Sequence, residues 1–273
     1  MCADQSHNQE PVFDRRLLLG GAKRDAVLEL WEIERYGFDS YGEPDYVSIY
    51  GMPPSEWYGR GIRLLGRTAV ECTRDRLAAA ISEDVASVAG TAPGRAGTYV
   101  LDPFVGSGNT LYWLLRRLAG SRGMGFELDP VIFQLTRRNL AILALPITLV
   151  NQDYRTGLAN LPILPSELLV AFIAPPWGDA LTPGSGLDLR RTSPPVAEVV
   201  DKLVQQFPKH QLLCAIQTYA TVNASSLTEL ASRFDWSARK TYDLNEASKN
   251  HGVLLGARGW IPPNPSAGFD PVG

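Results

Sequence analysis

An apolar run that ends in an acid and a glycine-rich turn constrains this chain most. Residues 100–110 read VLDPFVGSGNT, and a helical pattern follows them. Gly106 and Gly108 allow a tight turn and a close approach of a ligand to the backbone, while Asn109 and Thr110 are residue types that cap helices. The pattern predicts a strand, a turn and a helix, with a nucleotide-type ligand at the carboxyl end of the strand. The alternative is a plain strand-to-helix connection without a ligand.

The same arrangement repeats along the chain. A second apolar segment, residues 123–126, ends at Glu127, about twenty residues after the glycines, which is the spacing of an acid that binds a ribose. Residues 147–150 form a third segment, followed by Asn151-Gln152-Asp153-Tyr154. A fourth, residues 168–173, runs into Ala174-Pro175-Pro176-Trp177-Gly178. Four strands that each end in polar or proline-rich residues predict alternating strands and helices with one ligand-binding edge.

From about Thr98 onward, these residues resemble the class I S-adenosylmethionine-dependent methyltransferases. The segment from Asp102 to Thr110 is similar to their first motif in a form typical of amino methyltransferases. The resemblance implies that Glu127 holds the cofactor ribose and that Asp153 accepts a hydrogen bond from the adenine amine. It assigns these residues to the cofactor: Asp102, Phe104, Gly106, Gly108, Asn109, Thr110, Glu127, Leu128, Asp153 and Tyr154.

The segment Ala174-Pro175-Pro176-Trp177 resembles the fourth motif of the family, in which Asp, Asn or Ser precedes two prolines and an aromatic residue. The Pro-Pro-Trp-Gly form is most similar to the trimethylguanosine synthase-like branch, which methylates the exocyclic amine of guanine in RNA caps. We expect these four residues to align the acceptor, with Trp177 stacked on a planar group. Because Ala174 lacks a side-chain acceptor, a ring nitrogen, hydroxyl or carbon acceptor stays open beside an amine.

The resemblance implies a Rossmann-like α/β fold with a mainly parallel seven-stranded sheet in the order 3-2-1-4-5-7-6. We predict a helical and aromatic arm over residues 1–95, a cofactor-binding catalytic domain over 96–260 and a flexible tail over 261–273. Within the arm we predict one helix from about Leu17 or Ala22 to Tyr36 and another over 64–88. Residues 236–242 and 252–257 are predicted to form a closing antiparallel pair.

The arm is rich in aromatic residues interleaved with carboxylates. Its rings are Trp31, Tyr36, Phe38, Tyr41, Tyr46, Tyr50, Trp57 and Tyr58. They predict either an arm packed on the core or on a second subunit, or a lid in which Trp57 and Tyr58 contact the substrate. The carboxylates among the rings favour a small amine over a phosphate chain. Asp179, in the connection after the fourth strand, is a further candidate for substrate binding.

Composition narrows the function classes. A formal charge of −3 over 273 residues argues against strong binding of duplex DNA, which needs many phosphate-neutralising contacts. Cys2, Cys72 and Cys214 show no close pairing, which predicts a reduced, cytoplasmic protein. His7, His210 and His251 show no metal-ligand spacing, and His251 is expected in a turn that borders the site. Apolar segments are too short to span a membrane, and charges interrupt the run after Arg15-Arg16.

We therefore expect methyl transfer from S-adenosylmethionine, with S-adenosylhomocysteine as product and no metal. A small molecule methylated on nitrogen is the favoured acceptor. The alternatives are an RNA guanine or cap-like N-methyltransferase and a noncatalytic partner subunit with a cofactor fold. The sequence names no base for proton removal, and the arm offers a contact for homo-oligomers.

Overall fold

Helices and strands alternate along most of the chain in the computed structural model, which describes residues 12–145, 147–182, 184–244, 251–263 and 268–272. Cys2, His7 and Asn250 lie outside these residues. The α-helices are α1 (Arg15–Leu19), α2 (Leu30–Tyr41), α3 (Pro54–Gly59), α4 (Gly66–Glu71), α5 (Asp75–Ala89), α6 (Asn109–Arg117), α7 (Pro130–Ile142), α8 (Tyr154–Gly157), α9 (Val196–Gln206) and α10 (Ala224–Ala231). The strands are β1 (Gly97–Asp102), β2 (Arg122–Phe126), β3 (Thr148–Val150), β4 (Glu167–Ile173), β5 (Leu181–Thr182), β6 (Gly186–Leu187), β7 (Leu212–Tyr219), β8 (Trp236–Tyr242), β9 (His251–Arg258) and β10 (Asp270–Pro271).

One sheet organises the chain, with the strand order β10-β8-β9-β7-β4-β1-β2-β3. Strands β3, β2, β1, β4 and β7 are parallel, and β9 runs antiparallel between β7 and β8. With β10 and the small β5–β6 hairpin set aside, this is the expected 3-2-1-4-5-7-6 order. The sheet thus confirms the Rossmann-like class I methyltransferase fold, including the closing antiparallel pair.

The tail differs from the expectation of a flexible segment where Asp270 and Pro271 form strand β10. These residues pair with Arg239 and Ala238 of β8, and Ser237 donates a hydrogen bond to the carbonyl of Val272 at 2.8 Å. Without β10, β8 would present an unpaired strand edge, and covering such an edge satisfies its backbone groups. Over the residues that the structure describes, the sheet therefore has eight strands instead of seven.

Side chains alternate between two cores on either face of the central strands. On β4, Leu168, Val170 and Phe172 pack with α5 and α6, whereas the alternate residues Leu169, Ala171 and Ile173 pack with α9. All seven residues of β4 are buried, as expected for a strand covered by helices on both faces. The resulting three layers leave the carboxyl ends of β1, β2, β3, β4 and β7 at one edge.

The arm forms a third core of its own. Trp57, Tyr36, Ile33 and Leu64 are almost fully buried there, and the cluster also includes Tyr112 of α6 and Leu140 of α7. Helix α5 instead belongs to the core beneath the sheet, so residues 75–89 pack as a layer of the catalytic fold.

Both helices predicted in the arm are divided. Gly20 caps α1, and α2 begins only after Glu29, whose side chain and that of Glu32 form a capping box. The helix predicted over 64–88 is interrupted at Cys72–Arg74, where the backbone is extended at Cys72 and Arg74. The interruption brings Thr73 beside β7, to which it is hydrogen-bonded.

Candidate functional site

A cleft of about 1140 Å³ lies between the carboxyl edge of the sheet and the arm. The ends of β1, β2 and β4, the segment after β3 and the beginning of β9 line one side, and residues of α1 and of 67–77 line the other. This volume exceeds the roughly 300–1000 Å³ typical of a site for one small ligand. The cleft therefore has room for a cofactor together with part of a second molecule.

Asp102 ends β1 inside this cleft and is only 2% exposed. Its Oδ1 accepts a hydrogen bond from the backbone N–H of Phe104 at 3.0 Å. Burial raises the pKa of Asp102 to about 7, and the nearby charge of Glu127 adds to the rise, against the opposing hydrogen bond from Phe104. Ionisation of this carboxyl group is therefore unfavourable in the folded protein. A ligand that donates hydrogen bonds to the carboxylate would stabilise its ionised form.

Glu127 follows β2 and is oriented by the backbone. Its two oxygens accept hydrogen bonds from the N–H groups of Gly106, at 3.1 Å, and Asp129, at 2.9 Å. Each oxygen keeps a further lone pair for a ligand. Burial raises the pKa of Glu127 above its ordinary value. Because one of its partners is Gly106, the second strand and the glycine turn are fixed as one unit.

The glycine turn adopts the backbone conformation that its residues predict. Gly106 and Gly108 have φ angles of 49° and 77°, in the left-handed region that favours glycine. Thr136 donates a hydrogen bond to the carbonyl of Gly106 at 2.6 Å, and Thr110 lines the cleft. The backbone of the turn faces the cleft in a conformation that would be strained for a residue with a Cβ.

Asp153 lies in the cleft after β3 and caps α8 by accepting from the N–H of Arg155 at 2.8 Å. The guanidinium of Arg155 also binds this carboxylate, at 2.6 Å, and these bonds lower the pKa of Asp153. Tyr154 and Phe104 line the same cleft with their rings edge to face at 5.3 Å, and Leu128 lines it beside Glu127. The strand ends thus bring most of the predicted cofactor residues together.

Asn109, a predicted cofactor residue, occupies a different place. Its side chain is buried, accepts a hydrogen bond from the N–H of Tyr50 at 2.7 Å and donates one to the carbonyl of Thr73 at 2.8 Å. Tyr50 in turn donates its hydroxyl to the carbonyl of Ser107. Neither Asn109 nor Gly108 lines the cleft. Asn109 binds the arm to the glycine turn, since both of its hydrogen-bonding groups are engaged there.

The Ala174–Trp177 segment leaves β4 at the other end of the cleft. The Trp177 ring is half-buried, with Tyr219 edge to face at 6.2 Å and His251 tilted at 6.0 Å. Asp179 lies in the 3₁₀ turn Gly178–Ala180, exposed and outside the cleft lining. The proline segment therefore lines the cleft, and Asp179 does not.

The structure does not bring Trp57 and Tyr58 to the cleft, which corrects their assignment to the substrate. Trp57 is fully buried in the arm, and its indole N–H donates to the carbonyl of Val47 at 3.0 Å. Tyr58 donates its hydroxyl to Glu29, and the guanidinium of Arg63 lies 3.6 Å from its ring centroid. These rings hold the arm together, because a large apolar ring gains most from full burial.

Several cleft residues were missed by sequence reasoning. The arm contributes Arg15, Arg24, Arg67 and Arg74 to the lining, and β7 contributes Gln217. Thr73 donates a hydrogen bond to the Gln217 side chain at 2.8 Å. The only sequence signal was polar residues, Thr73 and Arg74, within an apolar helical pattern.

His251, expected in a turn that borders the site, is the first residue of β9 and lines the cleft. Its Nδ1 is buried and has no hydrogen-bond partner among the described residues. Burial, together with the charges of Arg74 and Arg15, lowers the pKa of His251 to about 4. The imidazole is therefore neutral at pH 7 and can accept a hydrogen bond.

Two further expectations concern metals and membranes. In the described ranges, no three His, Cys, Asp or Glu side chains cluster closely enough to hold a metal ion. Over the same ranges, no helix combines the length and apolar character needed to cross a membrane.

Comparisons with known proteins give structural likenesses alone. No protein-family model matches the chain, and a search of curated proteins found no match. Among solved structures, the chain is similar to a Listeria monocytogenes protein assigned to the class I S-adenosylmethionine-dependent methyltransferases. The two sequences are 15% identical, the match covers 71% of this chain and 63% of that chain, and the TM-score is 0.45. The precorrin-6y C5,15-methyltransferase of Geobacter metallireducens gives 14% identity, coverage of 69% and 91%, and a TM-score of 0.45.

A tRNA (uracil-54, C5)-methyltransferase from Pyrococcus abyssi, solved with S-adenosylhomocysteine, gives 12% identity, coverage of 72% and 42%, and a TM-score of 0.43. The matched region thus spans less than two thirds of the Listeria and Pyrococcus chains. At these values the likenesses do not identify a substrate. The strand order and the antiparallel β9 show by themselves that the chain has the Rossmann-like class I methyltransferase fold.

Proposed function

We propose that this chain is an S-adenosylmethionine-dependent methyltransferase. One observation carries the proposal: the strand ends place Asp102, Glu127 and Asp153 in the same cleft as the Ala174–Trp177 segment. The cleft is therefore lined both by acidic groups that can bind a cationic, hydroxyl-rich cofactor and by a segment that can align an acceptor. A noncatalytic subunit would need neither arrangement.

The residues fit S-adenosylmethionine by their chemistry. Glu127, with both oxygens already oriented by backbone N–H groups, can accept hydrogen bonds from two ribose hydroxyls. Asp102 is a buried carboxyl group with no cation beside it among the described residues, which suits a ligand that carries an ammonium group. Asp153 can accept from the adenine amine with a lone pair that Arg155 leaves free. Gly106 admits the ligand to the backbone.

When bound, this cofactor supplies an electrophilic methyl group on a sulfonium. The chain mainly has to hold the acceptor in line and keep water out, an effect that can contribute about 7–11 kcal/mol. Pro175 and Pro176 have restricted φ angles and no N–H donors, so the segment offers carbonyl acceptors without competing donors. The face of Trp177 stabilises the positive charge that develops on an acceptor nitrogen. His251 is neutral and can accept a hydrogen bond from the acceptor, while the proton released after transfer leaves to water.

For the acceptor, we propose a planar molecule methylated on nitrogen and bound against Trp177, with a small molecule as the first candidate. RNA guanine, or a cap-like structure, is the second candidate, favoured by the arginines of the arm in the cleft lining. We also propose a cytoplasmic location, which the free and buried Cys72 and Cys214 support.

Two measurements on the full chain test this function. Calorimetry with S-adenosylhomocysteine should give a micromolar or tighter dissociation constant, and Glu127→Gln should raise it at least tenfold, about 1.4 kcal/mol. Glu83→Gln is the matched control, since Glu83 is exposed on α5 outside the cleft. Labelled-methyl S-adenosylmethionine with cell extract should transfer label to an acceptor. Absence of both binding and transfer would favour a noncatalytic subunit.

A further inference from the structure

Two of the arginines in the cleft lining form no ion pair with a carboxylate of the described residues. Arg67 is paired with Asp25 at 2.9 Å and with Asp129 at 2.6 Å, and Arg24 is paired with Asp25 at 2.8 Å. Within the described parts of the chain, neither Arg15 nor Arg74 forms an ion pair. Arg15 and Arg74 are therefore the arginines that the arm contributes to the cleft lining without an ion pair.

Arg74 shows how the fold retains such a charge. The residue is only 8% exposed, and its guanidinium lies 4.0 Å from the ring centroid of Tyr46 and 5.6 Å from that of Tyr41. Cation–π contacts offset part of the cost of taking a guanidinium from water. They supply no acceptor for its five N–H donors, which are suited to bind carboxylate or phosphate. Among the described residues, only rings contact this buried guanidinium at the lining of a cleft, so it is suited to bind an anionic ligand.

Arg15 and Arg74 line the same cleft as Trp177 and His251. Both are close enough to His251 for their charges to act on it, and the His251 ring lies 6.0 Å from the ring of Trp177. Arg15 is also near Glu71, the carboxylate that the arm contributes to this lining. The arm thus contributes the unpaired Arg15 and Arg74 to the cleft that Trp177 and His251 also line. Glu71 lies in the same lining, where the charge of Arg67 acts on it most strongly.

The carboxylates of the arm, which favoured an amine at first, lie elsewhere. Glu32 is buried and paired with Lys23. Glu43 and Asp45 line an adjoining cavity of about 320 Å³, which shares Arg74, Leu77 and His251 with the cleft. Asp39 is paired with Arg35, and Glu56 with Arg60. Because these groups are outside the large cleft, the preference for a cationic acceptor loses its basis.

We propose that Arg15 and Arg74 bind a phosphate group of the methyl acceptor, whose planar part stacks on Trp177. The proposal rests on the methyltransferase function above and names the substrate class of the same site. Two guanidinium charges match the charge of about −1.5 to −2 on a phosphate monoester, and guanidinium forks bind phosphate oxygens in pairs. A nucleotide and an RNA both join a planar base to phosphate, so they are two sources of this ligand.

Treated cell extracts test the phosphate directly. Purified full chain and labelled-methyl S-adenosylmethionine are incubated with extract treated with alkaline phosphatase, with ribonuclease or with heat-inactivated enzymes. A phosphorylated small acceptor gives label in the filterable fraction that phosphatase treatment abolishes. An RNA acceptor gives label in a polymer that ribonuclease destroys and phosphatase leaves intact. Label in an acceptor insensitive to both enzymes overturns the proposal.

Charge-neutral variants test the two arginines. Arg15→Gln and Arg74→Gln should each raise the KM for the acceptor at least tenfold and leave the Kd for S-adenosylhomocysteine within twofold of wild type. Arg74→Lys, which keeps the charge, should recover part of the affinity. The matched controls are Arg16→Gln, adjacent to Arg15 and with a 94% exposed side chain, and Arg76→Gln, close to Arg74 in the chain and 61% exposed.

The outcomes separate the two proposals. Unchanged acceptor KM in both cleft variants, with normal cofactor binding, overturns the phosphate site and leaves the methyltransferase standing. Wild-type protein that neither binds S-adenosylhomocysteine nor transfers label overturns the function itself. Wild-type protein that binds S-adenosylhomocysteine but labels no phosphate-bearing acceptor counts against the phosphate site alone.

Discussion

Replacing Asp102 by asparagine should change the pH dependence of stability in the ligand-free protein. The folded pKa of about 7 lies above the ordinary 3.8, so between these values the folded state binds the proton more tightly than the unfolded state. The cost of ionising Asp102 in the fold therefore begins near pH 4, grows as the pH rises and is complete above pH 7. The amide side chain of Asp102→Asn would remain neutral throughout, so the variant should escape this loss.

The size of the effect follows from the pKa difference. At 1.36 kcal/mol for each pKa unit, the raised pKa of Asp102 lowers the free energy of unfolding of wild type by about 1.5 kcal/mol at pH 5 and about 4 kcal/mol at pH 8. The free energy of unfolding of Asp102→Asn, relative to wild type, should therefore rise by about 2.5 kcal/mol between these two pH values. An unsatisfied amide N–H in the variant would subtract about 1–3 kcal/mol at both pH values and leave the difference intact.

Urea unfolding of wild type and Asp102→Asn at pH 5 and pH 8 measures this difference. Asp179→Asn is the control, because Asp179 is exposed and outside the cleft lining. The Asp102→Asn variant should also bind S-adenosylhomocysteine less tightly at both pH values, since a carboxylate facing the ligand has been removed. A stability difference between variant and wild type that stays constant with pH, within about 0.5 kcal/mol, would refute the account of Asp102 as a reluctantly ionised group.

Three further substitutions test positions that the structure assigns to packing. Trp57→Phe should lower the free energy of unfolding by about 1–2 kcal/mol and leave the acceptor KM unchanged, because the indole N–H bonds only Val47; a tenfold rise in KM would return Trp57 to the substrate site. Asn109→Ala should cost about 2–4 kcal/mol in chemical denaturation, since two buried partners lose their hydrogen bonds; a loss below about 0.5 kcal/mol would contradict the link. Gly157→Ala should cost about 1–3 kcal/mol by thermal unfolding, because a Cβ there would overlap the ring of Phe126; an unchanged Tm would show that the ring can move.

Local patterns in the sequence predict the cofactor edge of the cleft. Asp102 and Glu127 were found because each ends an apolar segment, and parallel strands bring their carboxyl ends to one edge whatever else the chain does. The positive φ angles of Gly106 and Gly108 were likewise implied by their residue type. The role of Asn109 could not be predicted, because its partners Tyr50 and Thr73 lie 59 and 36 residues away.

The arm was predictable in composition but not in arrangement. Aromatic residues at this density indicate burial or stacking, and the sequence does not distinguish a ring inside the arm from one in a cleft. The break at Cys72–Arg74 was hidden because apolar residues at helical spacing continue through 64–88, while the bond that holds it reaches Gln217, 144 residues away. Strand β10 could not be predicted from local sequence either, because it depends on β8 lying at the edge of the sheet, where the tail can pair with it.

The extended residues Cys72–Arg74 connect both ends of the cleft. The carbonyl of Thr73 is bound to the side chain of Asn109 at the start of α6, and its hydroxyl to Gln217 on β7, while the next residue, Arg74, lines the acceptor end. A shift of the glycine turn when a cofactor binds would therefore be passed to Arg74 through hydrogen bonds of 2.8 Å. Thermodynamic linkage makes such an effect mutual, so the acceptor would change the affinity for the cofactor by the same factor. The two substrates of this chain are then expected to bind cooperatively instead of independently.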